Sequence, residues 1–180
     1  MTEDPLWSNI FKRQKTEKED IFTVMRKVPI FSSLDSKELR AVEHILHHRT
    51  YEQDEVIFKQ GEPGLGMYII ESGSVRIALG EKQKLLALLS RGDFFGEMAL
   101  LLEAPRTAGA VAAAPTKLLG FFQPDLFDLM SARPETGNKV LIRLSQMIAE
   151  RLKQTSIENQ HLRTKLNELE DKSAHRKKIS

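Results

Sequence analysis

The spacing of apolar positions changes period along the chain, and each change marks a boundary between elements. Over residues 1–30 the apolar side chains fall at helical intervals: Trp7, Ile10 and Phe11, then Ile21, Phe22, Val24 and Met25. A charged helical extension with a broken apolar stripe is expected there. Pro29 closes it, because the residue before a proline is pushed out of helical geometry. Asp35 then stands three positions ahead of Glu38, the spacing of a capping box. Leu39, Val42, Ile45 and Leu46 follow and give that helix one apolar face.

From about residue 48 the period shortens. Runs of β-branched and aromatic residues are separated by Gly61, Gly64, Gly66, Gly73, Gly80 and Gly92, the pattern of short strands in a sandwich or small barrel. Two more strands, "AGAVAAA" and "TKLLGFF", follow the stretch "GDFFGEMALLLEAPRTA". That stretch is too apolar for a surface loop and too interrupted for a helix. It is an insertion between two strands of one β-roll.

Helical spacing returns after Phe122, with Pro124 placed for a first helical turn in "PDLFDLM". "SARPETGN", with Ser131, Pro134, Gly137 and Asn138, reads as a linker. A single long helix is expected from Lys139 to about Asp171. Its seam runs through Leu141, Leu144, Ile148, Leu152, Thr155, Asn159, Leu162, Leu166 and Leu169, in heptads after one four-residue stutter. Asn159 falls at an a position, where a polar residue sets register and favours a dimer. A homodimer through this helix is therefore expected, with a frayed single helix as the alternative. "HRKKIS" beyond it reads as a solvated tail. The fold class is α+β: a jelly-roll-like β-roll flanked by helices, with a long C-terminal coiled-coil helix.

Composition narrows the function. The chain has 180 residues, 41% of them hydrophobic, enough for one ordinary core plus extensions. No apolar run approaches a membrane span, and "MTEDPLW" lacks the basic-then-apolar layout of a signal peptide. There is no cysteine, hence no disulfide, thiolate nucleophile or zinc-thiolate site. A cytoplasmic protein is expected. The net charge of +2 is uneven: residues 151–180 carry eight Lys or Arg against four acids, net +4, which leaves −2 for the rest.

The insertion holds the candidate chemistry. A short helix starting near Gly96 would present backbone N–H groups to an anion. Gly96 permits close approach of a ligand, and small Ala99 keeps the turn open. Arg106 offers a planar charged fork suited to a phosphate, with the Thr107 hydroxyl beside it. Glu97 would repel a phosphate but suits a sugar hydroxyl, as in dinucleotide folds. Together these residues describe a ribose-phosphate pocket.

"FGEMALLLEAPRTA" resembles the phosphate-binding cassette of cyclic nucleotide-binding domains, whose pattern is F-G-E-x-A-L followed by P-R-[ST]-A. The nine-residue step from Glu97 to Arg106 fits, as do "VPIFSSLDSKEL", "GEPGLGMYIIESGSVRI" and "GDFFGE" in order. The resemblance covers about residues 28–150 and is nearest to the bacterial cAMP-receptor transcription factors. It implies that Arg106 binds the cyclic phosphate and Glu97 the ribose 2′-hydroxyl. Gly96, Met98, Ala99, Thr107 and Ala108 complete the cradle. In the family the base contacts usually come from the long helix, where Thr155 and Ser156 stand, but Thr155 reads better as a seam residue. Both cAMP and cGMP are compatible with Thr107. Leu65-Gly66 departs from the pattern, standing where an acidic and a hydroxyl residue are more usual, and is expected to affect only a turn. The implied organisation is a helical extension over 1–30, the cyclic nucleotide-binding domain over 31–138, the coiled-coil helix over 139–171 and a basic tail over 172–180. The winged helix-turn-helix of such factors needs another ~70 residues. A stand-alone sensor acting through assembly or an unknown protein partner is therefore expected.

Other functions fit less well. A metal-dependent β-roll enzyme needs histidines on strands, and there is no His-x-His, no G-x-S-x-G and no cysteine nucleophile. His44, His47 and His48 read as lying at the end of the Asp35-capped helix, where a polar face accounts for them better than a metal. The basic tail lacks interleaved aromatics, so no specific nucleic-acid partner is expected. A structural dimer whose pocket no longer signals is the alternative to a sensor. Neither a cofactor nor a catalytic residue is expected.

Overall fold

The glycine-bounded runs become strands because each can bury at least one side against a second sheet. The computed structural model describes residues 21–80 and 84–179, with side chains to residue 167; Trp7, Ile10 and Phe11 lie outside this range. Helix α1, described over 21–27, leads into a 3-10 turn, Pro29–Phe31, and then α2, Ser36–Glu43. The roll follows as β1 His47–Tyr51, β2 Val56–Phe58, β3 Gly66–Ser72, β4 Ser74–Leu79, β5 Lys84–Ser90, β6 Phe94–Phe95, β7 Gly109–Ala112 and β8 Thr116–Phe122. Helices α3, Gln123–Ala132, and α4, Pro134–Ile179, complete the chain. Among the described residues the strands form two antiparallel sheets, ordered β1-β8-β3-β6 and β2-β7-β4-β5.

Between the sheets pack Ile70, Val75, Phe95, Ala110 and Leu118, joined by Tyr51, Ile57, Phe58, Tyr68, Ile77 and Leu89. Strands β3 and β8 are buried on both faces. Ile70 and Leu118 point into the roll, while Met67, Ile69, Leu119 and Phe121 are buried on alternate positions, and Phe121 meets Phe31 edge-on at 6.0 Å. This explains the unbroken apolar runs "MYII" and "LLGFF", since a strand covered on both sides needs no polar alternation. Val24, Met25, Val28, Ile30, Leu39 and Val42 extend the core among the helices.

The capping box of α2 is realised. The Asp35 carboxylate accepts from the N–H groups of Lys37 and Glu38 at 2.7 and 2.8 Å, and Glu38 accepts from the Asp35 N–H at 2.8 Å. The helix ends at Glu43, earlier than its apolar face suggested. Ile45 and Leu46 lie beyond its end, and the histidines therefore do not share a helix. His44 caps α2, whereas His47 and His48 are successive residues of β1, drawn into pairing with Gly120 and Leu119 of β8. Neighbouring strand residues face opposite ways: His47 bonds Asp125 at 3.2 Å, and His48 lies 4.0 Å from Glu71. The helical i, i+3, i+4 set does not exist.

The linker expected over "SARPETGN" is also corrected. Its residues are absorbed into α3 and α4, which meet at a corner of one residue, Arg133 (φ −139°, ψ 71°). Pro134 opens α4, its ring already set to helical φ, so the long helix starts before Lys139. Gly137 sits where the two helices touch: a Cβ there would fall 2.6 Å from the Met130 Cα. Thr136, Val140 and Leu144 are buried. The chain divides into two units between Leu144 and Ser145. In the second, Leu152, Ile157, Leu162 and Leu166 are exposed on α4. Among the described residues no helix is long and apolar enough to cross a membrane.

Candidate functional site

The insertion bridges the two sheets, running from β6 in one to β7 in the other. Its first part folds as a 3-10 turn, Glu97–Leu100, capped by Gly96 in the left-handed region at φ +78°. That backbone favours glycine, and a second reason is steric: a Cβ at Gly96 would lie 2.5 Å from Arg106 Nη1. The Ala99 N–H closes the turn on the Gly96 carbonyl at 3.1 Å. Gly64 lies close against this turn, since a Cβ on it would stand only 2.8 Å from the Ala99 Cβ.

Arg106 lies across this turn and is held by its main chain as well as its side chain. Its N–H donates to the Glu62 carbonyl at 2.8 Å, and its carbonyl accepts from the Gly61 N–H at 2.9 Å. Nη1 donates to the Gly96 carbonyl at 3.2 Å and Nη2 to the Gly66 carbonyl at 2.8 Å. The guanidinium carbon sits 4.1 Å from the centre of the Phe58 ring. Only 8% of Arg106 is exposed, and its buried Nε has no hydrogen-bond partner among the described residues. Burial pulls the guanidinium below its usual pKa, with nearby Tyr68 and Glu97 pushing the other way. An arginine still stays charged at such a site.

Glu97 is 2% exposed. The fold thus brings an acid and a cation together in a region from which water is largely removed, where both interact strongly with any polar ligand. Thr107 and Met98 are exposed, while Ala108 and Gly96 are half-buried. Thr155 and Ser156 are exposed on α4 in the second unit. A cavity of ≈ 400 Å³ adjoins the cassette, lined in part by Gly64, Leu65, Ala104, Pro105 and Gln123; its lining includes neither Glu97 nor Arg106.

Two participants escaped the sequence reading. Phe58 and Gly66 both act on Arg106, through a ring face and a carbonyl respectively. Gly66 is the first residue of β3 rather than part of a bystander turn, and any side chain on it would strike the Phe121 carbonyl and the Phe122 backbone. Position 66 therefore meets the site through its backbone carbonyl. The Leu65 carbonyl also accepts from the Gln123 N–H at 3.0 Å, tying the start of β3 to the start of α3.

Residues 48–133 match the cyclic nucleotide-binding domain family. The cyclic AMP receptor protein of Thermus thermophilus is 36% identical over 137 residues, 74% of this chain and 62% of that protein. A regulatory subunit of cAMP-dependent protein kinase from Colletotrichum orbiculare is 37% identical over 94 residues, 52% of this chain and 24% of the relative. The chain thus spans less than two thirds of either. Among solved structures, the catabolite activator protein of Thermus thermophilus superposes with a TM-score of 0.67 at 35% identity, covering 75% of this chain and 63% of that one. Fold and sequence agree: residues 48–133 form a domain of the cyclic nucleotide-binding family, and the chain is similar to cAMP-receptor-like proteins.

Proposed function

We propose that the protein is a cytoplasmic sensor, not an enzyme, that binds a 3′,5′-cyclic mononucleotide, cAMP or cGMP, at the cassette. Arg106 takes the cyclic phosphate and Glu97 the ribose 2′-hydroxyl. Backbone groups of Gly96, Met98, Ala99, Thr107 and Ala108 surround the phosphate. One observation carries the reading. Among the described residues, the buried guanidinium donates to the neutral carbonyls of Gly96 and Gly66 and its Nε has no hydrogen-bond partner. A buried charge and an unmet donor both cost free energy, and an incoming phosphate relieves both.

Output is proposed to run through the helices. The exposed leucines of α4, Leu152, Leu162 and Leu166, with Asn159 in the same seam, support a parallel homodimer. A downstream protein partner would read the dimer. The kinship with a receptor and a kinase regulatory subunit supports a regulatory role. Parallel calorimetric titrations with cAMP, cGMP and 2′-deoxy-cAMP test the ligand. Glu97→Ala is expected to weaken cAMP binding and leave the 2′-deoxy analogue unaffected; equal losses for both would remove Glu97 from the ribose.

A further inference from the structure

Arg106 offers a phosphate only the edge of its guanidinium, so something has to fix the plane in which that edge lies. The two carbonyls that receive its Nη atoms, from Gly96 and Gly66, lie along the edge and compete with any acceptor arriving there. Phe58 does not compete. Its ring covers the face, 4.1 Å from the guanidinium carbon, and a guanidinium can bind a ring on its face and an anion on its edge together.

Phe58 is itself rigidly placed. It is the last residue of β2, pairs with Ala110 of β7 and packs 6.1 Å from Tyr68 and 5.8 Å from Phe95, ring centre to ring centre. The loop that leaves it holds the cassette main chain through Gly61, Glu62 and Gly64, which bond Arg106 and Ala104. One segment, 58–66, therefore governs both the backbone and the guanidinium of Arg106.

We infer that Phe58 is a positioning residue for the ligand phosphate: its ring holds the buried Arg106 guanidinium in the binding orientation before ligand arrives. The inference rests on the ligand reading above. Without the ring, the cation loses the partner on its face and turns away from the site. Apparent affinity then falls by the fraction of molecules still in the competent orientation.

The test is calorimetric titration of cAMP and cGMP into wild type, Phe58→Met, which keeps most of the volume without aromaticity, and Phe58→Tyr, which keeps the ring. Each is made with and without Arg106→Ala, and folding is checked by thermal melting. Phe58→Met is expected to weaken binding about tenfold, within the range of a desolvated cation–π contact, and Phe58→Tyr to restore it. In the Arg106→Ala background Phe58→Met is expected to add no further loss, because residues that act through one another are not additive. Should Phe58→Met fail to fold, Phe58→Leu takes its place in the same cycle. Tight binding by the non-aromatic variant, or the same loss with and without Arg106, overturns the inference and leaves the ligand reading standing. A wild type that binds neither nucleotide overturns both.

Discussion

Glu38 and Lys139 lock the first turn of α2 to the first turns of α4, with Lys139 Nζ donating to Glu38 Oε1 at 2.7 Å while Oε2 of the same carboxylate caps Asp35. The bond with Lys139, and next the Asp35 N–H, hold the Glu38 carboxyl below its ordinary value of 4.5; Lys139 is raised above 10.5, chiefly by Glu38. A depressed acid contributes stability that is present above its unfolded pKa and lost as pH falls through the folded one. A raised lysine contributes stability that is lost only as pH climbs through its folded value, above 10.5. Lys139→Met is therefore expected to melt below wild type at neutral pH, and the difference to vanish below pH 4.5 as Glu38 protonates. Melting curves across pH check this.

The α3–α4 corner offers a steric test. A Cβ at Gly137 meets the Met130 backbone, at 2.6 Å from Cα and 2.9 Å from N, and backbone cannot rotate aside. Gly137→Val is expected to cost about 1–3 kcal/mol of overpacking, more than the fraction of a kcal/mol that replacing glycine in a helix returns. Denaturant unfolding measures it.

Much of this architecture could be read from the residues because its determinants are local. Asp35 and Glu38 signal a helix start three residues apart, and the cassette carries Gly96, Glu97 and Arg106 within one short segment. What escaped depends on partners distant in sequence. Residues His47 and His48 follow a helix and look helical until β8 supplies Gly120 and Leu119 as pairing partners. The residues Ser131, Pro134, Gly137 and Asn138 punctuate helices in isolation. Here Gly137 is present because Met130 packs against it, and Ser131 turns its hydroxyl back to the Phe127 carbonyl at 2.9 Å. Likewise, nothing around Phe58 in the sequence shows that it will lie under Arg106.

The proposed dimer is checked by light scattering. Leu162→Glu puts a charge into the seam and is expected to give a monomer. Asn159→Leu is expected to raise the melting temperature while loosening the choice of oligomer. A wild-type protein that stays monomeric at high concentration contradicts the seam.

Signalling requires that ligand favour one arrangement of the helices over another. Leu126 and Leu129 of α3 are already buried, α3 packs against β8 and the 3-10 turn of the cassette, and Phe127 stays exposed. A tenfold preference for this packed arrangement supplies about 1.4 kcal/mol, enough to reverse a closely balanced pair. Hydrogen exchange is expected to show ligand protecting 123–155 together with the cassette. Protection of the cassette alone would mean binding without a switch.

The central claim is that Arg106 holds the cyclic phosphate, and calorimetric titration of Arg106→Ala tests it most directly, beside the exposed control Arg40→Ala. Losing a charge-assisted contact at a desolvated site costs about 1.5–3 kcal/mol or more, roughly ten- to hundredfold in affinity. The account predicts that loss for Arg106→Ala and wild-type affinity for Arg40→Ala. Cyclic nucleotide binding that survives unchanged in Arg106→Ala would contradict it.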